Sequence, residues 1–193
     1  MPTFDLKGIK CGKYNNADGT ISYSEQTSVG DAMTANIELT FAEGRLYAEG
    51  GLAEFMRKAT GGNISMGVKY IKRPAQILMF DHKIKTREVN GKEVESIMST
   101  AGDISNYVGV AFYAPDKIDG ETKYTCVLLR KCLFGPPSKS YNTAGENIQF
   151  NTPTTTGMMM PDESEEQGID EVATVDTEAD AKAWVDVVLG ITA

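Results

Sequence analysis

The chain holds one histidine, His82, so any relay of the Ser-His-Asp kind would have to run through it. Such a relay needs an imidazole that takes a proton from a hydroxyl while a carboxylate holds its other ring nitrogen. His82 lies between Asp81 and Lys83 at the end of a short apolar stretch. A residue at a helix C-terminus, where the helix dipole favours positive charge, is the simpler reading. The three cysteines, Cys11, Cys126 and Cys132, are odd in number and show no C-x-x-C spacing. Neither a disulfide framework nor a zinc site follows from them. Cys126 and Cys132 are six apart in one strand-like run, and an even spacing predicts two buried thiols on the same face. Glu43, Glu49 and Glu54 have the chemistry of an acid and base, but no spacing selects a pair, and solvated or salt-bridged carboxylates are expected. The phosphate-loop, dinucleotide, nucleophile-elbow and zinc-helix signatures are all missing from the sequence. Asn63-Ile64-Ser65 is a formal glycosylation sequon, but it falls inside a predicted strand. The expectation is a chain that is not an enzyme, with no catalytic, cofactor-binding or metal-binding residues and no cofactor.

The elements that would position a site are mostly strands. In Met33–Thr40 every odd residue is apolar and every even one polar, which predicts a strand with one buried and one wet face. Ile64–Tyr70 repeats the pattern. Asn90-Gly91 marks a tight hairpin within Lys83–Ser99, Asp18-Gly19 one between Lys7–Tyr14 and Thr20–Tyr23, and Asp119-Gly120 a third. The last joins Tyr107–Ala114 to Lys123–Phe134, a predicted central antiparallel pair stopped by Pro136-Pro137. A further strand is expected over Asn147–Thr156, with Ile148 and Phe150 on one face. The methionine run Met158–Met160 fits adaptable packing at a contact surface or a buried strand end.

Two helices are expected. Arg73–His82 has Pro74 in its first turn, where proline is tolerated. Thr177–Leu189 opens on an approximate capping box, Thr177 with Asp180, and carries Ala181, Trp184, Val185, Val188 and Leu189 as one stripe. Strands without alternating helices predict a mainly β chain over residues 1–160, a sandwich or barrel-like antiparallel domain with one flanking helix. Residues 41–62 read as a long protruding loop whose apolar side chains need a covering surface. Residues 161–176 read as an acidic linker, and 177–193 as a C-terminal helical extension.

Charge is unevenly spread in the 193 residues, whose net is −8. Residues 161–193 hold ten acids against Lys182 alone, whereas residues 1–160 are nearly balanced. A dedicated nucleic-acid binder needs a basic face, so that class is disfavoured. No run of about 18 apolar residues is present, so no membrane segment is expected. The opening MPTFDLKGIKCGKY has no signal-like apolar run, and synthesis in a reducing cytoplasm is expected.

Several phrases occur in a telling order: the opening segment, Arg45-Leu46-Tyr47-Ala48-Glu49-Gly50, Tyr107-Val108-Gly109-Val110-Ala111-Phe112, Cys132–Ser138 and Gly145–Thr154. Together, over about residues 1–157, the chain resembles the major tail proteins of long-tailed (siphovirus-type) bacteriophages of Gram-positive hosts. It departs from the family pattern where the loop reads Ala48-Glu49-Gly50-Gly51 instead of ending in paired aspartates, and in the charged hairpin Lys83–Ser99.

The resemblance implies a structural virion protein made in the host bacterial cytoplasm and located in the tail. Its copies would form rings, usually of six, that stack into a tube through which the genome passes without specific DNA binding. Implied partners are further copies of the chain and other tail proteins, such as the tape measure and tail terminator. The subunit-interface candidates are Leu46, Tyr47, Glu49, Leu52, Phe55, Met56, Arg57 and Trp184. The alternative is another non-enzymatic β-sandwich module, such as a tail adaptor, a capsid decoration protein or a carbohydrate-binding module.

Overall fold

The computed structural model describes residues 5–118, 120–138, 143 and 151–191. The strands are β1 Lys7–Ala17, β2 Thr20–Ser28, β3 Ala32–Ala48, β4 Gly51–Val68, β5 Lys83–Val89, β6 Lys92–Met98, β7 Tyr107–Ile118, β8 Glu121–Phe134, β9 Thr154–Met159 and β10 Asp170–Val175. The helices are α1 Arg73–Phe80 and α2 Glu178–Val188. The fold is mainly antiparallel β, as the alternating patterns predict. Its main sheet runs β2-β1-β7-β8-β9-β4-β3, with β10 also paired to β8, while β5 and β6 form a separate hairpin.

The sheet bends around a core. Ile9 and Cys11 of β1, Ile64 and Met66 of β4, Val110 of β7 and Met159 of β9 all belong to one buried cluster. Strands far apart in the sheet order therefore face each other across the same interior. Helix α1 supplies Ala75, Leu78, Met79 and Phe80 to that interior. Pro74 lies in its first turn, and the helix ends where Asp81 turns left-handed, with the Asp81 N–H donating to the Ile77 carbonyl at 3.0 Å.

A second cluster covers the opposite face of β7 and β8. Ala181, Val185 and Leu189 of the C-terminal segment are buried against Ala111, Tyr113, Cys126 and Leu128. Trp184 and Val188 pack partly buried on the same cluster, so the predicted stripe docks on its own chain. The predicted cap is present: the Asp180 N–H donates to Thr177 Oγ1 at 3.1 Å. Glu178 accepts from the Tyr113 hydroxyl at 3.0 Å, and Lys10 pairs with Asp186.

Four expectations change. Cys126 and Cys132 do not share a face, because Cys126 belongs to the α2 side and Cys132 to the α1 side. Val108 pairs with Cys132 but Val110 with Leu129, so β8 carries one extra residue there. Such a bulge inverts the side-chain parity beyond it.

Residues 161–176 are not a solvated linker. β10 pairs with β8, and Asp162 is buried at 3% exposure. Its carboxylate accepts from Arg130 Nε (2.5 Å), from the Ser164 N–H and hydroxyl, and from the Gly168 N–H (2.9 Å). Lys131 pairs with Glu163 at 2.6 Å. The two bases displaced by the bulge thus receive the acids that composition alone assigns to solvent.

Residues 41–62 are not a loop. β3 and β4 stay paired to Ala48 and Gly51, and the chain reverses through Glu49 and Gly50, both at positive φ (50° and 82°). Finally, the predicted buried face of Met33–Thr40 is mostly uncovered. Met33 and Ile37 are exposed, and only Ala35 and Leu39 pack on the core. The strand expected over Asn147–Thr156 lies partly outside the described residues, Ile148 and Phe150 with it; the described strand there is β9.

Candidate functional site

The β3–β4 hairpin carries seven of the eight predicted interface residues. Two of its three register irregularities shape its outer part. The register shifts between Thr40 and Phe41, and again between Leu46 and Tyr47, each time with an extra residue in β4. Leu52 and Phe55, three apart, therefore fall on one face, opposite Tyr47 and Arg45. That slip hides the hairpin from a period-two reading.

One face of the outer hairpin is built from Phe41, Glu43, Arg45 and Tyr47 with Arg57, Phe55 and Leu52. The Arg57 guanidinium lies 3.9 Å from the Phe41 ring centre, and Arg45 lies 5.7 Å from that of Phe55. Glu43 joins the two arginines, at 3.4 Å to Arg45 and 3.5 Å to Arg57. Stacking on rings and the shared carboxylate hold both guanidinium planes in place at a modest gain each. The other face presents Leu46 and Met56. Tyr47 is 64% and Met56 74% exposed. Glu49 sits in the reversing turn. Trp184 does not join this surface; it lies on α2, where its own chain covers part of it.

The residues with reactive chemistry do not converge. Glu43 is held by arginines, Glu49 lies in the turn, and Glu54 is on the opposite face from Glu43. His82 follows the helix cap and is buried beneath Phe80, ring centres 5.4 Å apart, with neither ring nitrogen hydrogen-bonded. It is thus a packed residue just past the helix, and not the dipole-favoured helix C-terminal residue of the sequence reading. Burial pushes the thiols of Cys11 and Cys132 up to about 12 and that of Cys126 to about 11, which keeps them protonated and poorly nucleophilic at neutral pH. Among the described residues, no three His, Cys, Asp or Glu side chains group to hold a metal. Also among them, no helix is long and apolar enough to cross a membrane. Met159 is buried, as the strand-end reading of the methionine run has it, whereas Met158 is exposed.

Sequence reasoning missed a second exposed surface, the β5–β6 hairpin. Its Asn90-Gly91 turn is legible, but the distribution of charge over its faces needs the register. That register can be counted outward from the turn, from Val89 paired with Lys92 to Lys83 paired with Met98.

No protein-family model and no curated protein matches the chain.

Proposed function

We propose that this chain is the protomer of a bacteriophage tail tube, closing into rings, of six by family resemblance, that stack into a genome conduit. The observation that carries the reading is the β3–β4 hairpin. It is hydrogen-bonded end to end, yet it holds Phe41, Leu46, Tyr47, Leu52, Phe55 and Met56 exposed. Apolar surface gathered in this way on a projecting ribbon is the mark of a protein-binding element. Beside it, β3 ends the strand order of the sheet, so one side of a 17-residue strand has no strand partner among the described residues. An edge this long is a template for pairing with another chain. A contact between unlike surfaces of identical copies closes into rings or grows into stacks.

In this reading the protein acts by shape and not by catalysis, in the virion tail, after synthesis in the host cytoplasm. Its partners are further copies, the tape measure and the tail terminator, and DNA passes through without specific contacts. Negative-stain microscopy and light scattering of the purified chain over rising concentration test this. Rings and tubes are expected. A chain that stays monomeric at every concentration, or that instead binds glycans, overturns the reading.

A further inference from the structure

The β5–β6 hairpin is a sheet of two strands, and every residue of both strands except the half-buried Ile97 is exposed. An isolated two-stranded hairpin is at best marginally stable in water. Its register sorts its charges by face. Ile84, Thr86, Glu88, Glu93, Glu95 and Ile97 share one face, and Glu88 stands directly opposite Glu93. Like charges in that position destabilise a strand pair. The other face holds Lys83, Lys85, Arg87 and Lys92, with Val89, Val94 and Met98 among them. The acidic face turns toward its own body: Glu95 lies 3.5 Å from Arg73 of α1, and Ile97 lines the cleft beside Tyr70 and His82. The basic and apolar face is left outward. Among the described residues none of its four cations forms an ion pair, although the Thr100 hydrogen bonds that chiefly lower the pKa of Asp103 are helped a little by Lys83.

A surface of opposite character lies at the turn before β10 and the first residues of that strand. Glu165, Glu166 and Asp170 are exposed and have no ion-pair partner among the described residues, and Val172 beside them is 58% exposed. This turn is rigidly placed. The Asp162 N–H donates to the Gly168 carbonyl at 2.8 Å, and the Arg130 N–H to that of Ile169 at 3.0 Å. A preformed acidic patch with an apolar neighbour complements a basic face with an apolar stripe.

We infer that the outward face of β5–β6 docks on the acidic turn 163–172 of a second copy of this chain. The contact rests on the self-assembly reading above and assigns it a specific electrostatic joint. Duplex DNA and anionic membranes also attract cations, but the three carboxylates on the hairpin's other face work against a polyanion that wraps it. A compact acidic protein surface meets only the basic side.

The test uses the full chain mixed with an isotope-labelled copy, treated with a zero-length carboxyl-to-amine cross-linker and read by mass spectrometry. Links between copies from Lys85 or Lys92 to Glu165, Glu166 or Asp170 are expected, fading as salt rises. Paired reversal of Lys85→Glu and Arg87→Glu should raise the concentration needed for association at least about tenfold. Mixing that variant with a Glu165→Lys, Glu166→Lys partner should restore it. If wild-type copies show none of these links, whether or not tubes form, the joint is wrong. If tubes form equally well from the reversed variant at all salt concentrations, the joint fails while the tube reading stands. If copies associate and show the links but neither rings nor tubes form, the tube reading fails and the joint stands. Protection of the hairpin by duplex DNA or anionic vesicles in place of a second copy also overturns it.

Discussion

Cys126 and Cys132, six residues apart in β8, lie on opposite faces of the central sheet, one under α2 and the other in the α1 core. The extra residue between Leu129 and Cys132 separates them into two packing environments. A chain ending at Asp176 lacks α2 and keeps β10. In it, Cys126 should react with a thiol reagent at least about tenfold faster than Cys11 and Cys132, because only its covering layer is gone. Equal acceleration of all three would mean that the two cores open as one unit.

Asp162 and Arg130 tie the C-terminal segment to the bulge. Asp162→Asn takes the nearer of two carboxylates from a guanidinium that is only 22% exposed, leaving Glu171 at 3.8 Å, and should cost about 2 kcal/mol in urea denaturation. Burial raises the pKa of Asp162, but the Ser164 and Arg130 bonds outweigh it and hold the carboxyl below its usual range. A folded pKa below the unfolded one adds stability above about pH 4, lost as pH falls through the folded value. Wild type should therefore lose stability more steeply than the Asn variant below about pH 4. Parallel acid limbs would remove Asp162 from the account.

Gly109 is roofed by the Tyr23 ring, whose hydroxyl donates to the Arg130 carbonyl at 2.8 Å. A Cβ at Gly109 would come within 2.2 Å of Tyr23 Cε1. Gly109→Ala should cost about 1–3 kcal/mol through this overpacking. Gly44, with nothing within 4 Å of an added Cβ, is the control, and Gly44→Ala should change stability by less than about 0.5 kcal/mol. Similar losses at both sites would show that Tyr23 is not what limits Gly109.

Leu46 and Met56 occupy one face of the projecting hairpin and touch little of their own chain. The double change Leu46→Ser, Met56→Ser should leave the thermal midpoint of the monomer within about 2–4 °C of wild type. The same variant should fail to form tubes in electron micrographs. Normal tubes from this variant would exclude that face from assembly.

Much of the fold is legible in the residues. The turns at Asp18-Gly19 and Asn90-Gly91, the paired β7 and β8, the Pro74 helix start and the Thr177 cap all depend on chemistry between near neighbours. The outer hairpin is less legible. Glu49-Gly50 is a weaker turn signal than Asn-Gly, and two bulges break the alternation of Leu52, Phe55 and Met56. The apolar character of residues 41–62 is legible in the sequence, but not the paired ribbon that leaves those side chains exposed.

Local order, strand-forming pattern and the amphipathic stripe of α2 follow from the sequence by itself, because neighbouring residues decide them. Which face a side chain occupies after a bulge, as with Cys132, depends on a count across two strands. Whether an acid is solvated or buried, as with Asp162, depends on a partner 32 residues away. The charge faces of β5–β6 likewise exist only once the register is set. These were decided by the tertiary structure, since pairing between distant segments is where burial and Coulomb energy are settled.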